Sequence, residues 1–89
     1  MPGADHVVWG APGYLEVVTY GSSTCPRLPS AVARTEAGGV EITTSMDSSR
    51  PCTMDYGPTT STVRAPEGVV DTAPVAVIID RTSSTLPAR

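Results

Sequence analysis

Two cysteines constrain this chain more than any other residues. Cys25 lies in Gly21-Ser22-Ser23-Thr24-Cys25-Pro26, at the end of an apolar run, and Cys52 lies in Arg50-Pro51-Cys52-Thr53-Met54-Asp55, where another ordered stretch begins. Each stands beside a proline at a junction between strand and loop, so the pair reads as one disulfide stapling a small β domain. The chain has 89 residues, four aromatics (Trp9, Tyr14, Tyr20 and Tyr56) and no phenylalanine. Chains of this size bury only about 60–65% of the surface they expose unfolded, and without large rings the core has to be aliphatic. Closing the loop between the cysteines is worth roughly 3–4 kcal/mol in the chain-entropy model. The total stability of such a domain is only about 5–10 kcal/mol.

The segment pattern is extended throughout. Val7-Val8-Trp9 is a short apolar run before the turn residues Gly10-Ala11-Pro12-Gly13. Tyr14 to Tyr20 is the best strand, with Leu15, Val17 and Thr19 on one face and Glu16, Val18 and Tyr20 on the other. We expect it to be central. Ala31 to Thr35 and Val40 to Thr44 flank Gly38-Gly39 as a β-hairpin. Cys52 opens an ordered piece broken at Tyr56-Gly57-Pro58, and a threonine-rich strand follows from Thr59 to Ala65. Val75 to Asp80 is almost wholly apolar, which predicts burial on both faces.

No stretch repeats at helical spacing. The expected fold is therefore all-β: a small sandwich or partly open barrel of about six short, mostly antiparallel strands with one disulfide. We expect a single domain over residues 1–89, with an ordered core from about 5 to 81 and a flexible tail from 82 to 89.

Charge and composition exclude several function classes. The net charge is −3, and the six basic residues, all arginine, are scattered singly. Nucleic-acid binding calls for clustered basic side chains, and none is present. The chain lacks Lys, Asn, Gln and Phe, a bias that fits a GC-rich genome, and without Asn there is no N-glycosylation acceptor. The longest apolar run, Ala73 to Ile79, is too short to span a bilayer. A structural disulfide implies maturation outside the cytosol. The expected location is thus extracytoplasmic, secreted or membrane-anchored, with the export signal or anchor supplied by a segment outside these residues.

The stretch Val17-Val18-Thr19-Tyr20-Gly21-Ser22-Ser23-Thr24-Cys25-Pro26, with Cys52-Thr53-Met54-Asp55-Tyr56-Gly57-Pro58-Thr59-Thr60, resembles a family of small uncharacterised exported proteins of high-GC Gram-positive bacteria. In that pattern the first cysteine follows a Gly-Ser-Ser-Ser run and precedes Pro, and the second opens Cys-Thr-x-Asp before a threonine-rich strand. Val7-Val8-Trp9 and Pro74-Val75-Ala76-Val77 match its first and last strands, so the resemblance covers most of residues 7–80. Thr24 stands where the pattern has Ser. The resemblance implies export, often as a lipoprotein, and a cystine between the two motifs. It carries no activity.

Chemistry is sparse. Ser22, Ser23 and Thr24 stand in a polar loop after a strand, where nucleophiles occur, but a serine nucleophile needs a base and an orienting group. His6 is the sole histidine, and no Gly-x-Ser-x-Gly elbow is present. A reactive Cys25 has neither a Cys-x-x-Cys partner nor a lysine to lower its pKa. The nine carboxylates are dispersed, and one His with two Cys does not complete a zinc site. No metal or cofactor is expected.

Recognition remains. The candidate binding surface comprises Tyr14, Tyr56, Ser22, Ser23 and Thr24, because exposed Tyr is a common interface anchor. Thr59 to Thr62 reads as an edge strand open to strand addition. The expected role is a non-enzymatic cell-envelope module, binding or structural, with a protein or cell-wall partner. The alternative is a small hydrolase or thiol-dependent enzyme acting through the Ser22–Cys25 loop.

Overall fold

The computed structural model describes residues 4–47 and 49–89. Among them are seven strands and no helix: β1 (His6–Trp9), β2 (Tyr14–Gly21), β3 (Leu28–Arg34), β4 (Val40–Ser45), β5 (Gly57–Arg64), β6 (Val75–Ile79) and β7 (Thr82–Leu86). They form two sheets, β1-β2-β5 and β3-β4-β6-β7, packed as an open sandwich. All pairings are antiparallel except β4 with β6. β2 is central in its sheet, as its composition predicts.

The alternation read in β2 sets the sandwich. Leu15, Val17 and Thr19 are buried, while Glu16, Val18 and Tyr20 are half-buried on the outer face. Leu15 and Val17 join Val7, Val40, Ile42, Val75, Val77, Ile79 and Leu86 in one core cluster. Trp9 lies at its margin and donates its indole N–H to the Pro87 carbonyl at 2.9 Å. Thr19, only 1% exposed, satisfies its hydroxyl by donating to the Arg27 carbonyl at 2.6 Å. A buried hydroxyl without such a partner costs about 1–3 kcal/mol.

The β3–β4 hairpin forms as expected. Gly38 takes the left-handed φ of 85° that its turn requires. Gly39 has a different role: a β-carbon there would stand 2.5 Å from the Ala76 carbonyl oxygen, so glycine lets β6 lie against the hairpin.

Four expectations are corrected. The tail expected from residue 82 contains β7, which pairs with β6 from Ile79↔Thr82 to Val75↔Leu86, giving seven strands where about six were expected. β6 is buried on one face only: Val75, Val77 and Ile79 point inward, whereas Ala76 is exposed and Ile78 half-buried. The break expected at Tyr56-Gly57-Pro58 is instead the start of β5, with Gly57 and Pro58 paired to Gly21 and Tyr20. The ordered piece expected from Cys52 is loop up to that point.

The β6–β7 turn places both central residues, Asp80 (φ 46°) and Arg81 (φ 77°), in the left-handed region. Two-residue hairpins of this hand favour Asn-Gly or Asp-Gly because a β-carbon is strained there. Asp80 is held in place by its carboxylate, which accepts from the Thr44 N–H at 2.9 Å and from Arg27 at 2.7 Å. Among the described residues Arg81 has no comparable tie. Arg81→Gly is therefore expected to stabilise the protein by about 1 kcal/mol, read as a raised urea midpoint at unchanged slope. A lower midpoint would show that the arginine side chain outweighs the relief of strain.

Candidate functional site

Two loops cross between the sheets at the same end of the sandwich. Residues 22–27 carry the chain from β2 to β3, and residues 46–56 carry it back from β4 to β5. The ladders Gly21↔Gly57 and Leu28↔Ser45 bring their bases side by side. The cystine Cys25–Cys52, with Cα atoms 5.5 Å apart, joins one crossing loop to the other. Cys25 is buried, whereas Cys52 faces solvent.

Around the cystine the hydroxyls interlock. Ser22 Oγ lies 3.2 Å from Thr24 Oγ1 and 3.0 Å from Thr53 Oγ1. The Thr53 N–H donates to Thr24 Oγ1 at 2.9 Å. Asp55 accepts from the Ser23 N–H at 3.3 Å and from the Thr53 hydroxyl. Arg50 donates to the Thr24 carbonyl at 3.0 Å. These bonds from Ser23 and then Thr53 pull the Asp55 carboxyl down to about 2. So weak a base takes up a proton poorly at neutral pH. His6, the other candidate base, turns its Nδ1 to the Ala4 carbonyl at 2.8 Å.

Above this polar platform stand the exposed apolar groups. Met54 is fully exposed and Tyr56 is 58% exposed. The Tyr56 ring stacks on Tyr20 with centroids 5.7 Å apart, and Tyr20 lies 6.5 Å from His6. Leu28 and Met46, both exposed, flank the Leu28↔Ser45 pair at the same end.

Of the residues singled out from sequence, Ser22, Ser23, Thr24 and Tyr56 fall on this end with Cys25 and Cys52. Tyr14 does not. It begins β2, at the opposite end from Gly21, where its ring lies 5.6 Å from the Arg64 guanidinium. Met54, in the Cys-Thr-x-Asp stretch, joins them at this end, and nothing local in the sequence distinguishes an exposed methionine from a buried one.

A second polar cluster lies beside the first. Arg27 bridges Asp5 at 2.6 Å and Asp80 at 2.7 Å, tying the segment before β1 to the β6–β7 turn. Its pKa is raised, chiefly by the Asp80 hydrogen bond. Asp80 is lowered, first by the Thr44 hydroxyl, and Asp47 is lowered by the Ser49 hydroxyl. Among the described residues no group of three or more His, Cys, Asp or Glu side chains is placed to hold a metal ion.

A shallow groove of about 310 Å³ lies at the far end, lined by Trp9, Ala65, Val69, Asp71 and Arg89 among others. Arg89 crosses it, paired with Asp71 at 2.7 Å and lying 5.5 Å from the Trp9 ring centroid.

Comparison with known proteins adds no relative: no family model, curated protein or solved structure matches the chain significantly.

Two outcomes follow from these contacts. Cys25→Ala with Cys52→Ala is expected to cost roughly 3–4 kcal/mol, measured by urea unfolding. A variant as stable as the parent would show that the two crossing loops hold without the cystine. Asp55, Asp80 and Asp47 all titrate below their ordinary 3.8. Their ionised forms thus favour the folded state above that pH, and the contribution is lost as pH falls through their lowered folded values, about 2 for Asp55. Arg27, shifted upward, contributes at every pH below its ordinary 12.5. The thermal midpoint should hold from neutral pH to about 4 and then fall. Asp55→Asn should make that fall shallower, and an identical acid profile would remove Asp55 from the account.

Proposed function

We propose that this chain is a non-enzymatic extracytoplasmic β module that recognises a protein or cell-wall partner through its cystine-linked loop end. The observation that carries the reading is the stacking of Tyr56 on Tyr20, next to fully exposed Met54, over a platform of mutually bonded hydroxyls. A stacked tyrosine on a pre-ordered surface loses little entropy on binding, and methionine adapts its shape to the partner it meets. Ser22, Ser23 and Thr24 supply polar contacts around them. The disulfide supports an oxidising compartment, and no helix among the described residues is long and apolar enough to cross a membrane.

The low pKa of Asp55 and the engagement of His6 with a carbonyl speak against an activated hydroxyl in this loop. The test is sedimentation of purified protein with isolated cell-wall material, and cross-linking to named envelope proteins in the producing cell. Wild type is expected to be retained, and Met54→Asp with Tyr56→Ala should lower retention at least about tenfold. Equal retention of wild type and variant removes the loop end from the proposal. Labelling of Ser22 or Ser23 by a fluorophosphonate would replace it with the hydrolase reading.

A further inference from the structure

Asp80 and Arg81, with φ of 46° and 77°, are the only non-glycine residues at positive φ among those described, and they are consecutive. Together they make the whole turn between Ile79, the last residue of β6, and Thr82, the first of β7. Two residues give no slack, so both must stay left-handed for β7 to fold back on β6. Short hinges under strain invite exchange of the element they carry between copies of one chain.

A latch opposes the strain. The Asp80 N–H donates to the Ile42 carbonyl at 3.0 Å, and its carboxylate accepts from the Thr44 N–H, the Thr44 hydroxyl and Arg27. The carboxylate bonds lie at the surface, where water can replace them. β7 itself is shallowly held, since only Leu86 of its five residues is buried. Beyond it, the Pro87 carbonyl accepts from Trp9, and Arg89 bonds Asp71 and the Gly10 carbonyl. All these partners lie outside the turn, so an identical arm from a second copy meets every one of them.

We propose that residues 82–89 exchange between two copies of this chain. Residues 80–81 extend, and each β7 pairs with β6 of the other copy in the same register, Ile79 opposite Thr82 through to Val75 opposite Leu86. The closed form names the occupant: the β6 edge already holds this strand. On opening, Asp80 and Arg81 leave the left-handed region, and only the ties of Asp80 are given up. Three residue steps from Ile79 to Thr82 reach roughly 11 Å at most, so the two copies meet at this turn. Thr44, bonded to Asp80, pairs with Pro29, and the next pair is Leu28 with Ser45. Leu28 and Met46, 45% and 49% exposed, thus stand beside the hinge, and the second copy covers this apolar rim. The exchange needs no ligand and is separate from the recognition proposed for the loop end.

Sedimentation equilibrium on the wild type, after incubation at millimolar concentration, reads the dimer. Its architecture is read by cross-linking. Ala76 and Thr85 are exposed and face each other in the β6–β7 ladder, and antiparallel partners stand within disulfide reach. Ala76→Cys protein is incubated with Thr85→Cys protein, diluted and briefly oxidised. The expected product is a covalent dimer linked between positions 76 and 85 of different chains, located by peptide mapping. Arg81→Gly relieves the strain and should weaken the dimer at least about tenfold. Asp80→Ala cuts the latch while keeping a β-carbon in the turn, and should strengthen it by a similar factor. A wild type that stays monomeric at millimolar concentration overturns the proposal. So does a dimer without the 76-to-85 link between chains, or one that Arg81→Gly leaves equally strong.

Discussion

Everything in this fold hangs on a thin seam of aliphatic side chains between two sheets. Leu15 and Val17 from one sheet meet Val40, Ile42, Val77 and Ile79 from the other, and no phenylalanine thickens the layer. Interiors pack at crystal-like density, so small branched residues force a close, regular approach of the sheets. Within the four-stranded sheet the fit is as close at Gly39, where the β6 backbone lies in the place of a side chain. Thr19, the only buried polar side chain among the described residues, is tolerated because its hydroxyl is bonded to the backbone at Arg27.

A seam this thin leaves the ends of the sandwich weakly held by packing, and each end is closed by polar means. At one end the cystine and its hydroxyl network join the crossing loops, while Arg27 draws together Asp5 and the β6–β7 turn. At the other, Arg89 pairs with Asp71, and its guanidinium donates to the Gly10 carbonyl beside Trp9. Ion pairs with this much solvent access stabilise only modestly. Their role is positional: Asp80 holds a strained turn in register, and Asp55 orders the loop that presents Met54 and Tyr56. The surface proposed for recognition and the stabilising end are therefore the same structure.

Much of this was legible from residues alone. The alternation in Tyr14–Tyr20, the glycine turn at Gly38, and the placement of both cysteines at strand ends predicted the central strand, the hairpin and the staple, and all three are present. What escaped was β7 and its turn. Thr82-Ser83-Ser84-Thr85 has the composition of a solvated tail, and Asp80-Arg81 lacks the glycine that announces a tight hairpin. Only Leu86 of that strand reaches the core.

The division is physical. Period-two alternation and turn residues are local properties, so the sequence by itself determined that this chain is built of short strands, which face of β2 is buried, and where the disulfide would lie. Which strand neighbours which is not local. The parallel pairing of β4 with β6, the ordering of β7 along β6, and the separation of Tyr14 from Tyr56 arise only when the two sheets close on their seam. Tertiary structure also decided that Pro58 belongs to a strand, because β5 is an edge strand, where a missing N–H can be tolerated.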